Sequence, residues 1–251
     1  MLTDSHAHLD TKDFKIDLDD VIKRAQQEGI GSIITVGVDL KSSNDALNIA
    51  KRYPGIYTAV GFHPHNAAKV TKNEIQTLID MAEDPKVIAW GEIGLDFFKS
   101  YSPRQKQMRV FEEQLKIASD LNIPVIIHDR DAHTYIVDVL SKYNVIGLIH
   151  CFSGDLELAN VFAEMGFYIS IPGTVTYKKA TKIRKVVANI PLNYMVIETD
   201  SPFLTPYQKR GQRNEPSFVK FVAQEIALIK GINVDEVAKV TTNNIRRLFN
   251  I

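Results

Sequence analysis

The chain has a single cysteine among its 251 residues, so no internal disulfide can form, and a cytosolic setting is the expectation. Charge of either sign is not in excess: 30 Lys and Arg face 30 Asp and Glu, a formal net charge of +0. That balance excludes a global pull toward nucleic acid or a membrane surface, and any attraction for phosphate must be local. No run approaches the roughly 20 apolar residues that a membrane helix needs, and Met1 leads straight into a strand-like segment, which leaves no room for a signal peptide. No membrane partner and no obligate protein partner is indicated. Also missing are a linker, a low-complexity tract and any composition shift, so residues 1–251 are expected to form one domain.

What is present is a regular alternation. Short Val- and Ile-rich runs, as suit strands covered on both faces, fall at 1–5, 31–37, 56–61, 87–92, 124–128, 145–150, 166–171 and 194–199. Amphipathic segments separate them, at 17–28, 42–53, 73–83, 103–121, 132–143, 156–165 and 178–189, and a closing pair follows at 216–230 and 234–249. Gly29 and Gly166 stand where helix C-caps belong. Strand and helix in alternation imply right-handed crossovers and a parallel sheet. An open doubly wound sheet would carry a Gly-rich phosphate-binding turn after its first strand, and none is there. The expected fold is therefore a (β/α)8 TIM-type barrel with extra C-terminal helices.

The polar residues that end these strands carry the chemistry. Thr3-Asp4-Ser5-His6-Ala7-His8 puts His6 and His8 on one face by strand alternation, where they can share an ion. Asp4 faces the same way and is expected to orient a histidine. Glu92 ends Val87–Glu92; a carboxylate closing a buried strand needs a partner or a metal. His128 ends Val125-Ile126-Ile127, and His150 ends Ile146–Ile149. Either alone would read as a core histidine, but two on successive strands, added to the first pair, point to ligands. Asp200 follows the last strand, beside the first in a closed barrel, and could bind the His6/His8 ion or take a proton from an attacking water. Glu198 is expected to support the site from deeper in the barrel. Cys151 is expected to point away from His150 and pack behind it, and His133 to be a surface or capping residue. Nitrogen and carboxylate donors without thiolates fit Mg, Mn, Zn, Fe or Co. Six ligands with one bridging carboxylate suit two divalent cations.

On such barrels the loops after strands seven and eight often hold phosphate. Here the later one reads Tyr207-Gln208-Lys209-Arg210-Gly211-Gln212-Arg213, with two guanidinium groups suited to bidentate phosphate contacts. We assign Arg210 and Arg213, together with His63 of His63-Pro64-His65, to substrate; His65 is left without a role. Tyr177, Tyr207 and Phe97 could stack on bases. These residues support a phosphodiester or nucleotide substrate.

The motifs Asp4-Ser5-His6-Ala7-His8-Leu9, Gly61-Phe62-His63-Pro64-His65, Gly91-Glu92-Ile93-Gly94-Leu95-Asp96, His128-Asp129-Arg130, His150-Cys151-Phe152-Ser153-Gly154, Glu198-Thr199-Asp200-Ser201-Pro202 and Arg210–Pro216 run through nearly the whole chain. In this order they resemble the TatD family of metal-dependent hydrolases, the TatD-type deoxyribonucleases. The resemblance implies a (β/α)8 barrel, a divalent metal pair held by His6, His8, Glu92, His128, His150 and Asp200, DNA as the substrate and, in some members, 3′-to-5′ exonuclease activity. The chain departs from the family pattern at Phe97-Phe98, where a tyrosine often stands, and at Gln212, where lysine is commoner. Both lie on the expected substrate side. A rival is an amidohydrolase-type ester or amide hydrolase, including a D-aminoacyl-tRNA deacylase. Cyclic amidases of that broader group commonly carry a carboxylated lysine where Glu92 stands. A second rival, a non-catalytic barrel, predicts defects among the six ligands, and none is seen.

Overall fold

A computed structural model describes residues 1–251. Its centre is one sheet of eight strands paired in sequence order: β1 (Leu2–Ala7), β2 (Ile30–Val36), β3 (Ile56–Val60), β4 (Val87–Asp96), β5 (Val125–Arg130), β6 (Gly147–Ile149), β7 (Phe167–Ile171) and β8 (Met195–Ile197). Every pairing is parallel. The circle closes where Ala7 bridges Ser201 and where Asp4 of β1 accepts hydrogen bonds from the Thr199 N–H at 2.9 Å and hydroxyl at 2.6 Å. Helices α1 (Leu18–Gln27), α2 (Leu40–Arg52), α3 (Lys72–Met81), α4 (Arg104–Asp120), α5 (His133–Leu140), α6 (Leu156–Glu164), α7 (Thr181–Asn189) and α8 (Val219–Lys230) each follow the strand of the same number. The (β/α)8 barrel expected from the sequence is the fold, and no helix is long and apolar enough to cross a membrane.

Local sequence explains where these helices begin. Asp39 caps α2 by accepting from Ser42 N–H at 2.8 Å, Asp155 caps α6 through Leu158 N–H at 3.0 Å, and Thr71 and Glu74 form a reciprocal capping box on α3. The ninth helix, α9 (Val234–Phe249), lies across the amino-terminal mouth of the barrel. Its Asn244 amide donates to Met195 O at 2.7 Å and Leu192 O at 3.1 Å, and Thr242 Oγ1 donates to Met1 O at 3.2 Å. Ile245, Leu248 and Phe249 pack upward onto Ile34, Ile88, Ile126, Leu148 and Val196 inside the barrel.

The same alternation that places those apolar residues places the polar ones. Two residues beyond Ile126, Leu148 and Val196 stand His128, His150 and Glu198, all at the carboxyl end. β4 runs four residues past its expected end at Glu92, because Ile93, Gly94, Leu95 and Asp96 pair with Ile127, His128, Asp129 and Arg130 of β5. Gly94 permits this: at φ +141°, a Cβ there would sit 2.0 Å from His128 O. The β4–β5 register also shifts between Trp90 and Ile93, so that Trp90 turns outward, its indole N–H donating to Gln114 Oε1 of α4 at 3.3 Å, while Glu92 turns inward. β8 is shorter than expected: a 3-10 turn occupies Leu192–Tyr194, and the ladder ends at Ile197.

Candidate metal centre

Glu92 sits at the centre of the carboxyl mouth, buried, with a different set of nitrogens before each oxygen. Oε2 lies 3.5 Å from His6 Nε2 and 3.8 Å from His8 Nε2. Asp200 Oδ1 lies 3.4 Å from His8 Nε2 and 3.9 Å from His6 Nε2, and the two Nε2 atoms are 3.2 Å apart. Oε1 lies 2.7 Å from His128 Nδ1, 3.4 Å from His150 Nε2 and 3.5 Å from His63 Nε2. Ligand atoms on a tetrahedron with bonds of about 2.1 Å are themselves about 3.4 Å apart. His6, His8 and Glu92 have about that spacing, with Asp200 beside the two histidines, so these donors suit a divalent cation.

The outward nitrogens argue the same way. His8 Nδ1 lies 3.1 Å from Val36 O, which only accepts, so the proton belongs on Nδ1 and the inward Nε2 keeps a lone pair. His150 Nδ1 faces Glu198 Oε1 at 3.1 Å, and His128 Nε2 faces Asp96 Oδ2 at 3.4 Å. Both rings thereby turn a lone pair toward Glu92. His63 is different: its Nδ1 accepts the His65 backbone N–H at 3.1 Å, which leaves Nε2 as an N–H donor. It sits within the second group but offers a proton where the others offer a lone pair.

Without a cation these groups must share protons instead. Burial works against charge on His8, but the Asp200 and Glu92 carboxylates push its pKa up to about 9. Burial likewise opposes charge on His150, and Glu198 and Glu92 raise it to about 10. Burial alone would raise the Glu92 carboxyl, but the ring of histidines, His150 and His63 first, holds it well below the usual carboxylate range. Asp200, similarly opposed by burial, is lowered by His8 and His150. Burial and the surrounding histidines keep His63 neutral. A cation would replace the protons on His8 and His150.

The structure brings His6, His8, Glu92, His128, His150 and Asp200 together, with His63 beside them. Asp200 leaves the strand at φ +55°, its N–H donating to His6 O at 2.9 Å, and that turn aims its carboxylate at His8. Glu198 lies deeper, as expected, also accepting from Ser170 Oγ at 2.5 Å. Three expectations are corrected. Asp4 does not orient a histidine ring; its carboxylate is spent on Thr199, because the β1–β2 register shifts after Asp4 and separates its direction from that of His6. Cys151 does not pack behind His150: β6 has ended at Ile149, Cys151 turns at φ +45°, and its sulfur lies within 4.8 Å of the donor atoms of His150 and Asp200. Arg213 does not reach the cluster: its guanidinium binds the Asp17 carboxylate at 2.8 and 2.7 Å and the Asp13 carbonyl. Arg210 is exposed and makes no ion pair. His133 is the first residue of α5 and is held by Asp129 at 2.8 Å. Asp96 was not anticipated: buried, it links His128 Nε2 to His65 Nε2 at 2.7 Å, and a strand expected to stop at Glu92 hid it.

The family model described as TatD related DNase matches residues 3–250. An uncharacterized metal-dependent hydrolase of Bacillus subtilis, YabD, is 42% identical over 254 residues, covering 100% of both chains. The 3′-5′ ssDNA/RNA exonuclease TatD of Salmonella typhimurium is 34% identical, with 99% of this chain and 98% of that protein aligned. The crystal structure of YjjV, a TatD homologue from Escherichia coli, superposes with a TM-score of 0.94 at 33% identity, covering 100% of this chain and 98% of that one. The chain belongs to the TatD family and is a metal-dependent hydrolase.

Proposed function

We propose that the chain is a two-cation phosphodiesterase that removes nucleotides from the 3′ end of single-stranded DNA. The observation that carries this reading is Glu92, whose two oxygens each face a separate group of histidine nitrogens. His6, His8, Asp200 and Glu92 Oε2 would hold one cation, and His128, His150 and Glu92 Oε1 the other. Bound there, the pair would acidify an attacking water and neutralise charge on the phosphoryl oxygens, as two-metal hydrolases do at a spacing of about 3.5–4 Å.

The chain's own residues supply the rest. Asp200 stays ionised and can take the proton of the attacking water. His63, neutral and with its proton on Nε2, donates to a non-bridging phosphoryl oxygen. Arg210, exposed and without an ion pair, meets a flanking phosphate. The similarity to an enzyme named as a 3′-5′ ssDNA/RNA exonuclease, aligned over 99% of this chain, supports the substrate and the polarity.

The test compares single-stranded DNA, aminoacyl-tRNA and cyclic amides as substrates with Mg, Mn or Zn. Mononucleotides released from the 3′ end, dependent on cation, are expected. Cleavage of the aminoacyl ester or the amide with no nucleotide release would overturn the reading in favour of an amidohydrolase-type enzyme.

A further inference from the structure

Three large aromatic side chains stand in solvent beside the site, on one arc of the carboxyl rim. Phe98 is 56% exposed and Tyr101 69%, both on the loop after β4; Tyr135, in the first turn of α5, is 49% exposed. Exposed rings grouped on one face mark interaction sites, where single ones need no explanation. Cations stand over two of the rings of this arc, Phe98 and Phe97. The Arg130 guanidinium, at the end of β5, stands 4.3 Å from the centre of the Phe98 ring, and Lys99 Nζ stands 5.6 Å from it. Below them the buried Phe97 ring carries Arg104 at 4.4 Å and the edge of Tyr135 at 5.3 Å. Phe98 is thus flanked by two cations, and Tyr135 rests against Phe97.

Lys99, Arg104 and Arg130 make no ion pairs, unlike Arg24 and Arg213 of the opposite rim. There Arg213 is bound by Asp17 and Arg24 by Glu215 at 2.6 Å. The opposite arc has exposed rings too, Phe203 at 54% and Tyr207 at 52%, but there Arg210 is the arginine left unpaired. The Phe98 arc joins unspent positive charge to exposed aromatic rings. It also runs into the site: Tyr101 meets the edge of His65 at 4.7 Å, and His65 meets His63 at 4.3 Å.

We propose that this arc is a docking platform for single-stranded nucleic acid, with bases stacked on Phe98, Tyr101 and Tyr135 and phosphates beside Arg130, Lys99 and Arg104, leading the strand's end to the histidine cluster. The proposal rests on the phosphodiesterase reading above and adds where the strand lies. Stacking on a ring requires an open base face, which a single strand has and a duplex withholds. The free cations suit the regularly spaced phosphates of a polyanion, and the rings select a single strand over an acidic protein.

The experiment measures binding of a phosphorothioate-linked oligothymidylate of about eight nucleotides, within the site size of single-strand binders, to the cation-loaded protein by fluorescence anisotropy. Phe98→Ala and Tyr101→Ala should each weaken binding by about tenfold, the scale of one lost base–aromatic stack. Arg130→Gln should lower the slope of log affinity against log salt by about 0.7, one phosphate contact on a single strand. Tyr194→Ala, an exposed tyrosine before β8 at the opposite end of the barrel, should bind as wild type does. The first two rings are mostly in solvent, so their removal leaves the core intact. Unchanged affinity in Phe98→Ala and Tyr101→Ala, with wild-type binding and nucleotide release intact, overturns the platform and leaves the phosphodiesterase reading standing. A wild-type protein that neither binds nor cleaves the strand overturns both.

Discussion

The two mouths of this barrel are built from the same strands and do opposite things. At the amino-terminal mouth α9 pushes Ile245, Leu248 and Phe249 against Ile34, Ile88, Ile126, Leu148 and Val196. Everything there is apolar, and burial stabilises without conditions. At the carboxyl mouth, two residues further along three of those strands, His128, His150 and Glu198 join His6, His8, His63, Glu92 and Asp200, nearly all of them buried. Burial there costs stability, and only mutual contacts and a bound cation offset it. The contrast assigns stability to one end and chemistry to the other, as barrels of this kind divide their labour.

Substitutions at either mouth can break that division. Glu92→Gln should lower cation-dependent turnover by at least about a thousandfold, roughly 4 kcal/mol of barrier, and should also lower metal-free stability, because the charges on His8 and His150 lose a buried counter-charge. Turnover that survives in the folded fraction would show that Glu92 serves the fold alone. Phe249→Ala, at the other mouth, should cost about 3–5 kcal/mol of stability while the folded fraction keeps its kcat; denaturant unfolding and initial rates read the two separately.

Subtler changes sharpen the comparison. Asp96→Asn keeps the shape of the contact behind His128 but removes the carboxylate that fixes its ring. Cation affinity by titration calorimetry should fall about 10- to 100-fold, as for other carboxylates behind a metal-binding histidine; an unchanged affinity would make Asp96 a partner of His65 alone. Smallest is a proton count. The folded pKa values of His8 and His150, about 9 and 10, lie above the ordinary histidine value, so both carry protons at pH 7.5 in the metal-free protein. Their contribution to metal-free stability is complete below pH 6.5 and is lost as pH rises through 9 and 10. Cation binding must displace those protons, so affinity should rise with pH up to that range. Calorimetry in buffers of different ionisation heat should record about one proton released per histidine, and no release would mean that the two rings are already neutral.

Much of this division was legible in the sequence. Strand alternation alone places His6 beside His8, and an apolar run closed by one polar residue marks Glu92, His128 and His150. The two helix ends read from glycine hold, with Gly29 and Gly166 at φ +78° and +86°, whereas the caps at Asp39, Thr71 and Asp155 emerge from the structure. What stayed hidden depends on distant partners or broken alternation. Arg213 reads as a phosphate ligand until the fold brings up Asp17, 196 residues earlier. Asp96 lies beyond two glycines that look like the end of a strand, and only the pairing with β5 carries β4 through them. Cys151 and Asp4 were misjudged because period-two alternation fails where a strand ends or shifts register.

The central claim is that Glu92 bridges two cations between two sets of histidines. Crystals soaked in manganese and measured at its absorption edge test it directly. Two anomalous peaks about 3.5–4 Å apart, one beside His6, His8 and Asp200 and the other beside His128 and His150, are expected. A single peak away from Glu92, or a blank map at saturating manganese, would contradict it.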